Sequence, residues 1–290
     1  MKGSIVLIVI AGLLWGTTGL FATFFGDTVG LDAMQRTSIR TVFAAIAMAT
    51  FLFFKDKKLF RISLKNLLLC IAAGTVMYFT ALAYFLSIDF ASVPVAVVLM
   101  YTSPVIVMAF SVAFMGEKLT LLKGVAVAVM LAGCVLVSGI IGDASFNLWG
   151  LVFGLLSGVL YSGYNVITKF EMKRGLNPLT ASTYAFITMA TVSLFFANPV
   201  KTAGVLIESP LTLLPMAVLF GVITCTMPYL LYTMSLKKLP VGTAAALAVI
   251  EPMAATVFSV IVLQEMPTVF AWIGIVLILA AVLLLAKSEK

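Results

Sequence analysis

Two stretches of the sequence, SPVIVMAFSVAFMGE at 103–117 and EPMAATVFSVIVLQE at 251–265, align without a gap. At one constant offset the alignment pairs a proline, a Phe-Ser-Val triplet and a final glutamate. The same offset pairs Tyr84 with Tyr232. Because several residue types coincide at one offset, we infer an internal repeat, and a repeat defines the architecture of the whole chain.

The repeat extends over most of each half of the chain. At a slightly different offset, GLLWG at 12–16 aligns with GVLYS at 158–162. We therefore predict two similar domains, residues 1–142 and residues 143–290.

The composition excludes a soluble globular domain, since 63% of the residues are hydrophobic, 10% are charged and the mean hydropathy is +1.20. A helix needs roughly 20 apolar residues to cross the hydrocarbon core of a bilayer, whereas a membrane β-strand alternates apolar and polar residues. The apolar runs here are continuous, so the sequence predicts an all-α integral membrane protein. We place ten transmembrane helices at about 4–25, 33–54, 66–87, 93–115, 121–141, 148–169, 179–198, 211–235, 241–263 and 267–286.

The basic residues predict the orientation, because cytoplasmic loops retain Lys and Arg. With the amino terminus inside, only Lys201, Arg36 and Arg40 fall on the outer side. Both termini are therefore expected to be cytoplasmic, in a multi-pass protein of the inner (plasma) membrane. The net charge of +7 is the ordinary signature of membrane orientation, and we expect lipids but no nucleic acid as partners.

Five helices is an odd number, so the second copy must begin on the opposite side of the membrane from the first. Glu117 is then cytoplasmic and Glu265 is external. Inverted repeats are typical of secondary transporters, which bind substrate at the repeat interface. The predicted architecture is two inverted five-helix repeats around a central cavity.

A family resemblance rests on a pattern that occurs twice, at 104–117 and 252–265: a proline, a mostly apolar stretch, and then Gly-Glu or a variant. Together with GLLWG in the first span and an Arg in the second, it resembles the EamA-like family of the drug/metabolite transporter (DMT) superfamily over essentially the whole chain. The resemblance implies a ten-helix exporter with a central cavity that moves metabolites such as amino acids, or less often drugs. The second copy departs from the pattern with Gln264 where the first has Gly116.

The sequence offers little for catalysis or for a cofactor. It contains no histidine, and Cys70, Cys134 and Cys225 lie in separate predicted spans. Because no metal-ligand spacing can be drawn, we expect no metal, no cofactor and no enzymatic activity. The absence of an ATP-binding loop favours a secondary carrier over a pump.

Glu251 is the only acid predicted near the bilayer midplane, where the first repeat has Ser103. A charge within a span costs roughly 2.5 to 3.5 kcal/mol, so a charge that remains there usually faces the bundle interior or water. Glu251 is a candidate for proton coupling or for contact with a cationic group of the substrate. The alternative is a packing role, with hydrogen bonds to hydroxyls such as Thr226 or Ser235.

Arg36 and Arg40 lie four residues apart on one face of the second span, near its outer end. We expect Arg36 to extend to the external headgroups. Arg40 lies one turn deeper, where it can form a salt bridge with Glu251 or bind a substrate carboxylate or phosphate.

Aromatic and amide side chains within the spans form a second set of candidates, which can line a substrate cavity or simply pack. They are Trp15, Tyr84, Tyr101, Tyr161, Asn165, Tyr229 and Tyr232.

Prolines and glycines within the spans predict bends and close contacts. Pro104, Pro228 and Pro252 interrupt backbone hydrogen bonding and are either hinges or permanent kinks. Small residues recur every fourth position at Gly12 and Gly16, and again at 150, 154 and 158. This spacing predicts tight packing between the first and sixth spans.

The leading functional prediction is export of small metabolites, most of all amino acids or related organic molecules, by alternating access across the cytoplasmic membrane. Proton antiport or the outward gradient would drive it, and a monomer is compatible with the architecture. The alternatives are a carrier of organic cations or drugs through Glu251, or of nucleotide- or phosphate-bearing solutes through the Arg pair. A non-transporting membrane protein is less favoured, because an enzyme needs no second copy in the opposite orientation.

Overall fold

The fold is given by a computed structural model, which describes residues 2–91, 96, 99–116, 118–137, 147–263 and 268–288. All regular secondary structure within these ranges is helical. The predictions for Glu117, Gln264 and Glu265 lie outside the described residues.

Short and long α-helices follow one another along the described chain. In order they are α1 Lys2–Trp15, α2 Thr18–Thr23, α3 Ala33–Lys55, α4 Leu64–Phe90, α5 Ser103–Met115, α6 Leu121–Val137, α7 Leu148–Lys173, α8 Pro178–Phe196, α9 Pro199–Glu208, α10 Pro210–Gly221, α11 Met227–Ser235, α12 Val241–Leu247, α13 Glu251–Leu263 and α14 Val269–Ser288. The π-helical turns Phe24–Thr28 and Val222–Thr226 and the 3-10 turns Lys57–Phe60 and Ala248–Ile250 interrupt or extend them.

Six helical stretches of the described chain are long and apolar enough to cross a membrane. They are Gly3–Thr28, Ala33–Lys55, Leu64–Phe90, Leu148–Lys173, Pro178–Phe196 and Pro210–Ser235. Shorter apolar helices lie within the remaining predicted spans, at Ser103–Met115, Leu121–Leu136, Val241–Ala255 and Trp272–Ala281. Their length leaves the number of membrane crossings a prediction.

Polar side chains begin several of the long helices. The Asp32 carboxylate accepts a hydrogen bond from the backbone N–H of Gln35 at 2.8 Å, and the Gln35 side chain accepts from the N–H of Asp32 at 3.2 Å. The side chains of Asn147 and Asn177 accept hydrogen bonds from backbone N–H groups in the first turns of α7 and α8. Such caps satisfy N–H groups that a helix start leaves without partners.

The strongest helix contacts join one half of the chain to the other. The contact of α4 with α7 corresponds by the repeat to the contact of α11 with α1. The contact of α4 with α8 corresponds in the same way to the contact of α10 with α3. Three further contacts join a span to its own repeat counterpart: α3 with α8, α6 with α14, and the fourth with the ninth predicted span through α5 and α12. This pattern repeats when the halves are exchanged, so the two halves interlock and the core lies between them.

Corresponding helices of the two halves begin at opposite ends of the bundle. α1 begins where α3 finishes, since Gly3 and Lys55 line one cavity. α3 begins at the other end, where Arg36 pairs with Asp89 near the end of α4. α7 begins against that same end of α4. α1 and α7, which the repeat relates, therefore run in opposite directions.

The predicted partners of the regularly spaced glycines are wrong. Gly12 and Gly16 lie against 248–255 of the ninth predicted span, not against the sixth span. Gly158 lies correspondingly against 99–102. The close packing inferred from the small residues is present, but each helix makes it with the broken helix of the opposite half.

Candidate functional site

The candidate site is a small cavity between the two halves. Its volume is about 30 Å³, far below the roughly 300 to 1,000 Å³ of ligand pockets and sufficient for one or two water molecules. The structure is therefore closed around this site. The lining residues are Trp15, Thr18, Arg40, Thr80, Ala81, Tyr84, Met100, Tyr161, Tyr229 and Glu251.

Glu251 enters the cavity at a helix break. It follows the 3-10 turn Ala248–Ile250 and begins α13, and it is only 9% exposed. The Tyr101 hydroxyl donates a hydrogen bond to Glu251 Oε2 at 2.6 Å. Tyr101 itself lies in the turn before α5, so the breaks of the two halves meet at this hydrogen bond.

The hydroxyls expected to bond Glu251 have other partners. Thr226 Oγ1 donates to the backbone oxygens of Ala44 and Gly221, each at 3.3 Å. Ser235 Oγ donates to the Tyr232 carbonyl at 2.6 Å. Neither hydroxyl bonds Glu251, because each donates to backbone carbonyl oxygens, and the hydroxyl that does bond it is that of Tyr101.

Arg40 is held by the backbone of the opposite half. Its Nη2 donates to the carbonyl oxygen of Thr224 at 2.6 Å, and the side chain is buried. Thr224 lies four residues before Pro228, which has no N–H with which to bond that carbonyl. Within the described chain Arg40 forms no ion pair with Glu251. The two charges nevertheless line the same cavity.

Several polar groups of the cavity wall are buried without a hydrogen-bond partner in the described protein. They are Trp15 Nε1, Thr18 Oγ1 and Arg40 Nε. A buried polar group that makes no hydrogen bond costs about 1 to 3 kcal/mol. Because the indole and guanidinium nitrogens only donate, Trp15 Nε1 and Arg40 Nε each lack an acceptor.

Aromatic rings form the rest of the wall. The ring of Trp15 lies 4.9 Å from that of Tyr229 and 5.8 Å from that of Tyr232, between centroids. Tyr84 and Tyr161 also line the cavity, whereas Tyr232 packs behind Trp15. The structure thus brings most of the predicted aromatic residues together.

Asn165, like Tyr101 and Tyr232, is a predicted site residue that does not line the cavity. It is fully buried on α7, and neither of its amide atoms forms a hydrogen bond within the described protein.

The expectation that Arg36 extends to the headgroups is wrong. Arg36 is only 4% exposed, and its Nη2 pairs with Asp89 Oδ1 at 2.5 Å. Its guanidinium carbon also lies 5.2 Å from the centre of the Phe85 ring. Arg36 therefore ties α3 to α4 at the end of the bundle where α3 begins and does not share the cavity with Arg40.

Each predicted hinge proline follows a helix interruption. Pro104 lies in the first turn of α5, after the turn that holds Tyr101, and Pro252 lies in the first turn of α13. Pro228 follows the π-helical turn Val222–Thr226. The interruptions are present, and movement about them stays a prediction.

Thr18, Thr80, Ala81 and Met100 line the cavity without having been predicted to do so. Thr18 lies one turn beyond Trp15, and Thr80 is the repeat counterpart of Pro228, so both had a signal in the sequence. Alanine and methionine occur throughout the spans, and nothing distinguishes these two.

The EamA-like transporter family matches residues 2–139 and 148–287. The chain belongs to this family. The double match confirms the two-repeat architecture, and family membership makes the chain a multi-pass membrane transporter of the DMT superfamily.

Relatives of this EamA-like protein carry the same general description. An "Uncharacterized transporter" of Archaeoglobus fulgidus is 27% identical, with 96% of this chain and 94% of the relative covered. The "Uncharacterized inner membrane transporter YicL" of Salmonella typhimurium is 25% identical, with 98% and 95% covered. A solved structure titled "Crystal structure of protein" has a TM-score of 0.79 at 18% identity and covers all of both chains, which shows that the fold is shared.

Proposed function

We propose that this protein is a secondary transporter that exports amino acids or related small organic molecules across the cytoplasmic membrane by alternating access. The observation that carries the proposal is the placement of Arg40 and Glu251 on the wall of one closed cavity. A zwitterion has complementary charges at both of its ends. Its binding would neutralise two groups that are otherwise expensive to bury.

The wall supports recognition of a carboxylate at one end. Trp15 Nε1 and Arg40 Nε are buried donors without an acceptor, and a guanidinium binds carboxylates through directed, charge-assisted hydrogen bonds. The Thr224 carbonyl holds Arg40 in place from behind. A substrate carboxylate would supply the missing acceptor.

The opposite charge supports recognition of an ammonium group. Tyr101 hydrogen-bonds one oxygen of Glu251 and so orients the carboxylate. The rings of Tyr84, Tyr161 and Tyr229 surround the same space, and aromatic faces attract cations.

The proposed topology is ten membrane crossings in two inverted five-helix repeats, residues 1–142 and 143–290, with both termini cytoplasmic. The opposed directions of α1 and α7 support the inversion. The end of the bundle where α1 begins carries Lys55, Lys237 and Lys238 around one cavity, and cytoplasmic ends are rich in basic residues.

Alternating access requires the closed cavity to open. A cavity of about 30 Å³ has to widen to one side or the other before a substrate enters. We propose Pro104, Pro228 and Pro252 as hinges, since each follows an interrupted helix. Exchange of the substrate for a proton on Glu251 would couple export to the proton gradient.

The alternative substrates differ in which charge they need. An organic cation would use Glu251 without Arg40. A phosphate-bearing solute would call for both arginines, but Arg36 is paired with Asp89 outside the cavity. The geometry therefore favours a solute with one anionic and one cationic group.

Transport by purified protein in proteoliposomes tests the proposal. Vesicles loaded with one unlabelled solute are supplied with the labelled form, over a panel of amino acids, organic cations and nucleotides, with and without a pH gradient. We expect exchange of zwitterionic amino acids only, with net movement accelerated by the gradient. Exchange confined to cations or nucleotides, or no exchange of any solute, would contradict it.

A further inference from the structure

A buried polar face runs along α7 from the cavity toward the end of the helix. Tyr161, Tyr164, Asn165, Thr168 and Glu171 are all buried, and their spacing of three or four residues places them on one side of the helix. Tyr161 lines the cavity with Glu251. Glu171 lies about 15 Å farther along the axis, by the rise of an α-helix. We call these five residues the α7 polar face.

Glu171 is a second buried carboxylate, and it lies at an unfavourable place. It is 2% exposed and sits in the last turn of α7, where the helix dipole disfavours negative charge. Its Oε1 forms no hydrogen bond in the described protein. Among the described residues it has no ion-pair partner. The Cys70 thiol of α4 is the side chain that hydrogen-bonds this carboxylate.

The groups between the two ends of the face are polar as well. Both amide atoms of Asn165 are buried without a hydrogen-bond partner in the described chain. The Tyr164 hydroxyl lies within hydrogen-bonding reach of Thr168 and of Thr233 of α11, and its ring lies 5.6 Å from the ring of Tyr229. Polar groups therefore follow one another from the cavity wall to Glu171.

The titratable groups that face Glu171 are the Cys70 thiol of α4 and the Tyr164 hydroxyl of its own helix. Lys169, two residues earlier on the same helix, donates from its Nζ to the carbonyl oxygens of Leu236 and Leu239. The thiol and the phenol that face Glu171 can each donate a hydrogen bond to its carboxylate.

We propose that the α7 polar face is the proton path between the cavity and the cytoplasm, with Glu171 as its cytoplasmic proton acceptor. This rests on the proposed proton exchange at Glu251. In each transfer an O–H bond of the Glu251 carboxyl breaks and an O–H bond forms on the Glu171 carboxylate, through hydroxyls or waters along the face. The electron pairs stay on oxygen, and Glu171 then releases the proton to the cytoplasm. Buried polar chains of this kind mark proton relays in transporters.

The test compares two modes of transport in proteoliposomes for Glu171→Gln. Exchange of labelled for unlabelled substrate needs no net proton movement, whereas uptake driven by a pH gradient does. We expect exchange to stay within about twofold of wild type and gradient-driven transport to fall at least about a hundredfold, the lower end of the loss expected when a proton-transfer group is removed. Glu171→Asp should restore part of the driven rate, because it keeps a carboxylate.

The matched control is Glu208→Gln, which removes an exposed carboxylate of α9 and should change neither mode. Gradient-driven transport by Glu171→Gln at the wild-type rate would overturn the proton path while leaving the proposed function intact. An equal loss of both modes would show a structural role and also overturn it.

Discussion

The two halves of the molecule have the same framework but contribute different charges to the cavity. Gly221 lies against the backbone oxygen of Arg40, and Gly74 lies against that of Ala185. The repeat counterpart of Arg40 is therefore Ala185. The repeat counterpart of Glu251 is Ser103. Each half supplies one charge that the other lacks, so the shared contacts explain the fold and the differences supply the chemistry.

The helix interruptions differ between the halves as well. α4 is continuous, whereas its repeat counterpart contains the π-helical turn Val222–Thr226 before Pro228. The first half has Thr80 where the second has Pro228. A π-helical turn often marks a functional site. The Thr224 carbonyl that binds Arg40 lies in this turn, at a position where α4 of the first half is uninterrupted.

The largest expected effect is that of removing the charge contributed by the first half. Arg40→Ala loses the guanidinium and leaves the Thr224 carbonyl without its donor, so we expect substrate exchange to fall by about a hundredfold, as for a buried charge partner. Arg40→Lys keeps the charge but loses the planar array of N–H donors of the guanidinium, so we expect its exchange rate to fall by about tenfold. Initial exchange rates in proteoliposomes measure both, and equal rates for Lys and Arg would rule out directed carboxylate binding.

A double variant can move the carboxylate from position 251 in the second half to the symmetric position 103 in the first half. Glu251→Ser should reduce exchange by about tenfold or more, because the substrate ammonium loses its partner. Adding Ser103→Glu restores a carboxylate at the symmetric position but not the hydrogen bond from Tyr101. We expect the double variant to stay at the rate of Glu251→Ser, and recovery of the wild-type rate would show that the position of the charge is unimportant.

A smaller effect is expected from Tyr101→Phe, which removes only the hydroxyl that Glu251 accepts. A hydrogen bond to a charged group contributes about 1.5 to 3 kcal/mol, so substrate affinity should weaken by about tenfold. The control is Tyr184→Phe, whose hydroxyl donates to the Phe60 carbonyl at 2.7 Å, away from the cavity. Equal affinities of both variants, measured by binding titration, would contradict the role of Tyr101.

The smallest effect is expected from Pro228→Ala, which makes the second half more like the first. The new N–H can bond the Thr224 carbonyl and compete with Arg40, so we expect exchange to slow by a few-fold. Melting temperature should rise by a few degrees, since about 1 kcal/mol shifts it by that amount. Pro215→Ala in α10 is the matched control. A rate unchanged from wild type would show that the anchor of Arg40 does not require the proline.

Much of the fold could be predicted because its signals are local. The apolar runs, the repeat, and the prolines that begin α5 and α13 are properties of neighbouring residues, and so are the depths of Arg40 and Glu251 in their spans. Hydrophobicity and helix periodicity act within a segment, so the sequence alone indicates which segments are helical and how deep a charge lies.

Which side chains meet depends on contacts between segments that are distant in the sequence. Arg36 has the same local pattern as Arg40, yet it pairs with Asp89 because α4 ends beside it. In the sequence Glu171 lies in a charged segment at the end of a helix, but in the structure it is buried and contacts Cys70 of α4. Contacts between distant segments depend on how helices dock, and docking sums many small packing contributions that no single segment contains.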